Sequence, residues 1–262
     1  MIISHEHEFI FLKTRKTAGS SIERFLDPLV GPDAIVTPVL PPPPGHAPRN
    51  HDRFFNPFPE LVRVARTPKK PNAMPMRRRV KRPLSDVKRK RAYYNHMDAQ
   101  RIRDRVGRRV WDRYFKFCFE RDPWEKVVSL FYFTLDSPDL RSPASFSDFV
   151  LDFRLPFDWP IYSIDGTPAV DFIGRYESLS QDLAAVLAHV GIDQPVELSR
   201  EKSGARITQQ DRVEARFTPE LDARVAKVFE PEIRLFGYRD RSVDSSETGP
   251  PRAYDPRGVL AR

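Results

Sequence analysis

The chain reads as a single α/β domain with a central parallel sheet flanked by helices. Three observations predict this. Short continuous apolar runs, such as Phe9–Leu12 and Phe115–Phe119, have the pattern of strands buried on both faces. Amphipathic helical stretches alternate with these runs, as parallel sheets require. The 262 residues suffice for one such domain with a full core.

Taken in order, Glu8–Lys13 predicts a strand, Thr14–Ser20 a polar loop with one glycine, and Ser21–Leu29 a helix. That helix carries Ile22, Phe25, Leu26 and Leu29 on one face and ends near Pro28. The stretch from Pro32 to Arg91 differs in kind, with Pro41–Pro44, Pro48, Pro57 and Pro59 followed by basic runs at Arg77–Arg82 and Lys88–Arg91. It predicts a long irregular insertion over 32–94, with a short helix at Glu60–Arg66. Regular structure returns with a helix at Asp98–Val110, a strand at Phe115–Phe119, a turn at Glu120–Pro123 and a helix at Trp124–Leu135. Ser145 and Asp148 open a short helix over Phe146–Phe153. Ala169–Tyr176 predicts another strand, and Ser180–Val190 a helix stopped at Gly191. Thr218 and Pro219 start a last helix that runs to about Phe229. The domain is expected to span 1–240, followed by a disordered polar tail over 241–262.

The net charge is +8. From Glu60 to Asn95 there are 13 Lys and Arg against Glu60 and Asp86, a net of +11, which leaves −3 for the rest of the chain. The basicity is therefore regional and points to an anionic partner for that segment. Cys118, the single cysteine, lies in an apolar run and reads as a buried structural thiol, so no disulfide forms within the chain. The first residues are acidic where a signal peptide would be basic, and no stretch approaches the ~18 apolar residues of a membrane span. A cytoplasmic protein is expected.

Two segments carry the chemistry. In Lys13-Thr14-Arg15-Lys16-Thr17-Ala18-Gly19-Ser20-Ser21 a loop leads from a strand into a helix. Backbone N–H groups and the positive end of the helix dipole converge there on one anion site. Gly19 would let the backbone approach the anion, Thr17, Ser20 and Ser21 would add hydroxyls, and Lys16 would add charge. It is not a Walker A loop, because the lysine precedes the glycine. An ordinary capped polar turn is the plain alternative. In the second segment, Phe117 to Ser129, Arg121 ends a strand and Ser129 follows eight residues later on a helix. Arg offers a planar fork for a phosphate and the serine one more donor. An Arg–Asp salt bridge at a helix start is the alternative. Both loops follow strand carboxyl ends, where ligands of such sheets bind.

Together the segments resemble the PAPS-dependent sulfotransferases (PAPS, 3′-phosphoadenosine-5′-phosphosulfate), closest to the carbohydrate sulfotransferase branch. Arg15-Lys16-Thr17-Ala18-Gly19-Ser20-Ser21 is similar to the family's 5′-phosphosulfate loop, Pro-Lys-Thr-Gly/Ala-Gly-Thr/Ser-Ser. Phe119-Glu120-Arg121-Asp122-Pro123-Trp124-Glu125-Lys126-Val127-Val128-Ser129 is similar to its 3′-phosphate segment. Weaker matches follow at Asn95–Ala99, Trp111–Phe117, Phe172–Leu179 and Thr218–Tyr238. Arg15 stands for Pro, Glu120 for Val and Asp98 for Thr.

The resemblance implies a P-loop-like sulfotransferase fold and sulfuryl transfer from PAPS to a hydroxyl of a carbohydrate or glycolipid, leaving adenosine 3′,5′-bisphosphate (PAP) and using no metal. It implies catalytic roles for Lys16 and His96, and donor binding by Arg15, Lys16, Thr17, Ala18, Gly19, Ser20, Ser21, Arg121, Ser129 and Tyr176. His51 and His46 are rivals to His96 as the base. His5 and His7 precede the first strand and are expected to be bystanders. The basic insertion is either an acceptor wall for an anionic glycan or lipid headgroup, or a solvated loop. Tyr93 and Tyr94 either stack on a sugar or pack into the core. The alternatives to sulfuryl transfer are a P-loop-like kinase and a non-enzymatic anion- or nucleic-acid-binding protein.

Overall fold

In the computed structural model the run Phe9-Ile10-Phe11 is a strand with every side chain buried, as a strand covered on both faces must be. The structure describes the chain except residues 40–41, 43–45, 67–74, 138–139, 141, 199–214 and 243–262. The expected tail therefore lies outside the described residues apart from Arg241 and Ser242.

The five-stranded sheet has the order β3-β1-β2-β4-β7. It is formed by β1 (Ile2–Ser4), β2 (Phe9–Phe11), β3 (Ile35–Val36), β4 (Phe115–Glu120) and β7 (Phe172–Arg175). Strands β2, β4 and β7 are parallel, with Phe11 opposite Phe117 and Phe119 opposite Gly174. The centre of the sheet is parallel as expected, and one edge adds antiparallel pairing, where β1 runs antiparallel to both β2 and β3. A tight turn makes this possible: Glu8 takes φ 51° and the Ser4 hydroxyl accepts from the His7 N–H at 3.1 Å. Strand β7 starts later than expected: the Ala169 N–H turns to the Tyr162 carbonyl, and the Asp171 N–H is the first to reach β4, at the Lys116 carbonyl.

Side chains alternate between two cores. Ile10, Leu12, Cys118 and Ile173 face one, and Phe9, Phe11, Phe117, Phe119 and Phe172 the other. Gly174 is needed in β7 because a β-carbon there would meet the Phe119 ring at 2.4 Å. Cys118 is buried, and burial pushes its thiol up.

The helices are α1 (Gly19–Leu26), α2 (Phe58–Arg66), α3 (Met76–Lys88), α4 (Ala99–Val106), α5 (Arg108–Arg113) and α6 (Pro123–Leu135). They continue with α7 (Phe146–Asp152), α8 (Trp159–Tyr162), α9 (Leu179–His189), α10 (Pro219–Val228) and α11 (Glu230–Phe236). Local caps explain the starts of three of them. Asp122 accepts from the Glu125 N–H, Ser145 from that of Asp148 and Thr218 from that of Leu221. The helix expected over Asp98–Val110 is broken at Gly107, whose φ of 81° separates α4 from α5. A hairpin of β5 (Ser163–Ile164) and β6 (Thr167–Pro168) turns on Asp165-Gly166, both at positive φ. This is an Asp-Gly turn signal unread above.

The insertion is the larger correction. Instead of one short helix it carries α2 and α3, which pack on each other while α2 packs on α4. Buried charge holds it. Arg105 reaches Glu60 at 3.1 Å and Asp86 at 2.7 Å, and Arg101 reaches Glu60 at 3.1 Å. Arg105 also donates to the carbonyls of Arg91 and Ala92. These partners are 13 or more residues apart in sequence, so local periodicity carries no trace of them.

Candidate active site

The first loop follows β2 and enters α1 through two residues in the left-handed region, Lys16 (φ 61°) and Ala18 (φ 59°). Each such non-glycine residue costs about 1–2 kcal/mol, so surrounding contacts must hold the conformation. They do so from beneath. The buried Thr14 hydroxyl donates to the Phe119 carbonyl, joining the loop to the end of β4. Thr17 lies 2.8 Å from Thr14 and is left as the donor to it. The Thr17 hydroxyl is thus turned inward and does not face outward as an anion donor. Gly19 also has a different local reason. A β-carbon there would meet Lys13 Cγ at 2.7 Å, so the glycine makes room for the Lys13 stem on its way to Glu23.

The second loop follows β4 and enters α6. Arg121 lies with its guanidinium 4.2 Å from the Tyr176 ring centre and 3.5 Å from Glu125. Glu125, Ser129 and Phe133 share one stripe of α6 at four-residue spacing. Arg121 meets that stripe at Glu125, and Lys16 meets it at Phe133, with its ammonium 4.3 Å from the ring centre. Ser129 therefore sits between the two cations, on a stripe about 12 Å long by helix geometry. Lys16, Arg121, Ser129 and Tyr176 are brought together, from four separate elements.

His96 joins the first loop. Its Nδ1 lies 2.9 Å from the Lys13 carbonyl, and since a carbonyl only accepts, Nδ1 carries the proton and Nε2 keeps a lone pair. Its φ of 58° is a third left-handed residue at the same place. Burial lowers its pKa to about 4, against the opposing pull of the nearby Asp158, so the ring is neutral at pH 7. The rivals are placed elsewhere. His46 is held by the Thr37 carbonyl and Asp27, each at 3.0 Å. His51 lies 3.9 Å from Asp52, at the foot of the insertion. His5 contacts Tyr114 and His7 the Leu29 carbonyl, both at the amino end of β2. Tyr93 packs into the core, and burial pushes its hydroxyl up to about 12. Tyr94 accepts from Arg101 at 3.0 Å and Arg82 at 3.2 Å.

A buried ionic chain links the two loops. Asp158 accepts from the Arg15 N–H and from Arg15 Nη1, both at 2.6 Å, and from Lys126 Nζ at 2.9 Å. Lys126 in turn donates to the two oxygens of Glu120 at 3.0 and 2.8 Å. Asp158, Lys126 and Glu120 are all essentially without solvent exposure. Burial works to lower the pKa of Lys126, but the two carboxylates outweigh it and raise it. Glu120 is pushed up by burial to about 7. Glu232 has no partner for either oxygen among the described residues, and burial followed by the charge of Glu120 pushes it up to about 8. Arg15 and Glu120, which replace Pro and Val of the motif, are the two ends of this chain. Asp158 precedes a Trp-Pro helix start and carries no motif, so the sequence offers no signal for it. Arg241, 3.6 Å from Asp122 and 5.3 Å from the Trp124 ring centre, also escaped sequence reasoning.

The description "Sulfotransferase family" belongs to the family model that matches residues 1–151, more than half of the chain. The chain belongs to the sulfotransferase family. An uncharacterised protein of Archaeoglobus fulgidus is 38% identical over 109 residues, covering 39% of this chain and 88% of that protein. No solved structure matches the chain. For this sulfotransferase-family member the matched segment contains both loops, His96, Lys126 and Ser129. Asp158, Tyr176 and Glu232 lie beyond it. No helix among the described residues is long and apolar enough to cross a membrane.

Proposed function

We propose that the chain transfers a sulfuryl group from PAPS to a hydroxyl of a carbohydrate or glycolipid, with PAP as the product. The observation that carries this reading is the shared stripe of α6, which Lys16 meets at Phe133 and Arg121 at Glu125, with Ser129 between them. A nucleotide with phosphate groups at its 5′ and 3′ positions asks for two separated anion sites, and these two loops supply them.

In this reading Arg15–Ser21 holds the 5′-phosphosulfate at the amino end of α1. Thr17 contributes its backbone N–H, since its hydroxyl is committed to Thr14. Arg121 and Ser129 hold the 3′-phosphate and Tyr176 supports the Arg121 guanidinium. The acceptor oxygen attacks sulfur in line as the bond from sulfur to the bridging phosphate oxygen breaks. Charge grows on that bridging oxygen, and Lys16 with the loop N–H groups stabilises it. The acceptor proton passes to Nε2 of His96, which the Lys13 carbonyl fixes in the required tautomer. A pKa near 4 keeps the ring in its basic form. An anionic donor against Lys13–Ser21 raises its proton affinity. The three residues beneath the donor, Asp158, Lys126 and Glu120, act by positioning, not by touching it.

The test is a PAPS transfer screen over sugars, glycolipids, phenols and peptides. Lys16→Ala is expected to lose about 100-fold or more in turnover, the size of one lost transition-state donor, with less effect on PAP affinity. Unchanged turnover in Lys16→Ala removes it from this role, and transfer confined to phenols or peptides removes the acceptor assignment.

A further inference from the structure

The α2–α3 hairpin has a surface that the transfer reaction does not use. Its two acidic residues are turned inward: Glu60 and Asp86 are buried against Arg101 and Arg105. The cations go outward, with Arg53, Arg77, Lys81, Lys88 and Lys90 exposed. Large apolar side chains stand among them, with Phe54 85%, Phe58 66% and Leu84 49% exposed. Phe54, Phe55 and Val87 line one shallow pocket with Asp52, Arg53 and Lys90, and Leu84 is one turn before Val87 on α3. Aromatic and aliphatic groups in a field where exposed cations outnumber the one exposed acid, Asp52, suit a surface that is charged outside and apolar just beneath.

We propose that this hairpin docks the protein on an anionic lipid bilayer, with Phe54, Phe58 and Leu84 entering the headgroup boundary and the Lys and Arg side chains meeting lipid phosphates. A duplex or single-stranded nucleic acid would use the cations. It gives no reason for Leu84 and Phe58 to be exposed among those cations. A sugar chain would favour aromatic groups with a hydrogen-bonding handle, and Phe54 and Phe58 have none. Interfacial binding needs both features at once, because apolar insertion and attraction to anionic lipid add. The inference is independent of the donor chemistry.

The test is co-sedimentation of the full chain with phosphatidylcholine vesicles, with and without phosphatidylglycerol, at about 0.15 M salt, where the screening length is about 8 Å. Binding is expected to the anionic vesicles only. Phe54→Ser with Phe58→Ser is expected to weaken it about tenfold or more, and Lys81→Glu with Lys88→Glu to abolish it, with thermal melts unchanged because all four residues are exposed. Leu84→Ser is a single-site check that loses affinity in the same direction. The proposal is overturned if neither vesicle binds. It is equally overturned if the Phe and Leu variants bind as well as the parent, or if a single-stranded or duplex oligonucleotide at equal phosphate displaces the protein from anionic vesicles.

Discussion

The donor loops and the α2–α3 hairpin are both rich in Lys and Arg, and both hold buried ion pairs, but they arrange them in opposite senses. In the hairpin the acids point inward to Arg101 and Arg105, while Arg77, Lys81 and Lys88 face water. At the donor loops the buried acid is the hub. Asp158 gathers Arg15 and Lys126, and Lys126 passes on to Glu120. The first arrangement anchors a peripheral element and leaves charge free for long-range attraction. The second joins two strand-end loops into one body and aims what is left, Lys16 and Arg121, at a common stripe of α6. The sign of a region's net charge tells neither story. What decides is which charges are buried in pairs and which stay at the surface.

The largest effect should come from cutting the donor hub. Lys126→Met leaves Asp158 and Glu120 buried without their shared cation, which is expected to cost about 3–5 kcal/mol of stability. Urea unfolding measures the loss, and PAP affinity should fall with it because the Arg15 loop loses its tie to α6. Arg105→Met leaves Glu60 and Asp86 to Arg101 alone and should cost about 3 kcal/mol by the same measurement. Here PAP affinity should stay at the parent value. If Arg105→Met weakens PAP binding as much as Lys126→Met, the two regions are not distinct and the comparison fails.

Next in size is Arg121→Ala. Removal of charge-assisted bonds is expected to weaken PAP by about 1.5–3 kcal/mol, or roughly 10- to 150-fold, by titration calorimetry, with little change in the unfolding midpoint. Arg121→Lys should recover only part of the loss, since an ammonium cannot make the planar fork or lie on the Tyr176 ring as the guanidinium does. Full recovery would reduce the role of Arg121 to bare charge.

The smallest effect is a pH dependence. Glu232 has its folded pKa raised to about 8 from an ordinary 4.5, so between those values the folded state binds more protons than the unfolded one. Stability from this group therefore falls as pH rises through that window. His96 has its folded pKa lowered to about 4 from 6.5, so its contribution runs the other way and is complete above pH 6.5. Between about pH 6.5 and 8 the raised carboxyls of Glu232 and Glu120 pull the melting temperature down, against the buried Met1 amino group, whose lowered pKa acts in the opposite sense. Glu232→Gln is expected to flatten that decline. An equally steep decline in the variant would place its origin elsewhere.

The strand–loop–helix units at Phe9–Leu26 and Phe115–Leu135 were legible because their causes are local: apolar runs, one capping Asp122, and a proline at the first turn. The antiparallel edge was not legible. Ile2–Ser4 is only three residues long, and its pairing depends on a turn at Glu8. The hairpin was missed because Glu60, Asp86, Arg101 and Arg105 come together only in three dimensions. For the same reason Arg15 and Glu120 looked like lapses from a motif. Asp158 lies 143 residues beyond Arg15 and explains both. Gly19 has a second local reason that the sequence does not show, because a β-carbon there would take the space of the Lys13 stem.

The central claim is that the Lys16 loop and Arg121 form the two ends of one nucleotide site. The most direct measurement is a thermal shift of the parent chain and of Arg121→Ala with PAP, without added metal, beside Mg-ATP. A one-site ligand at 100 times its Kd stabilises by about 2.7 kcal/mol, so saturating PAP should raise the parent melting temperature by several degrees and that of Arg121→Ala by much less. A response to Mg-ATP alone, or a PAP response untouched by Arg121→Ala, would contradict the account.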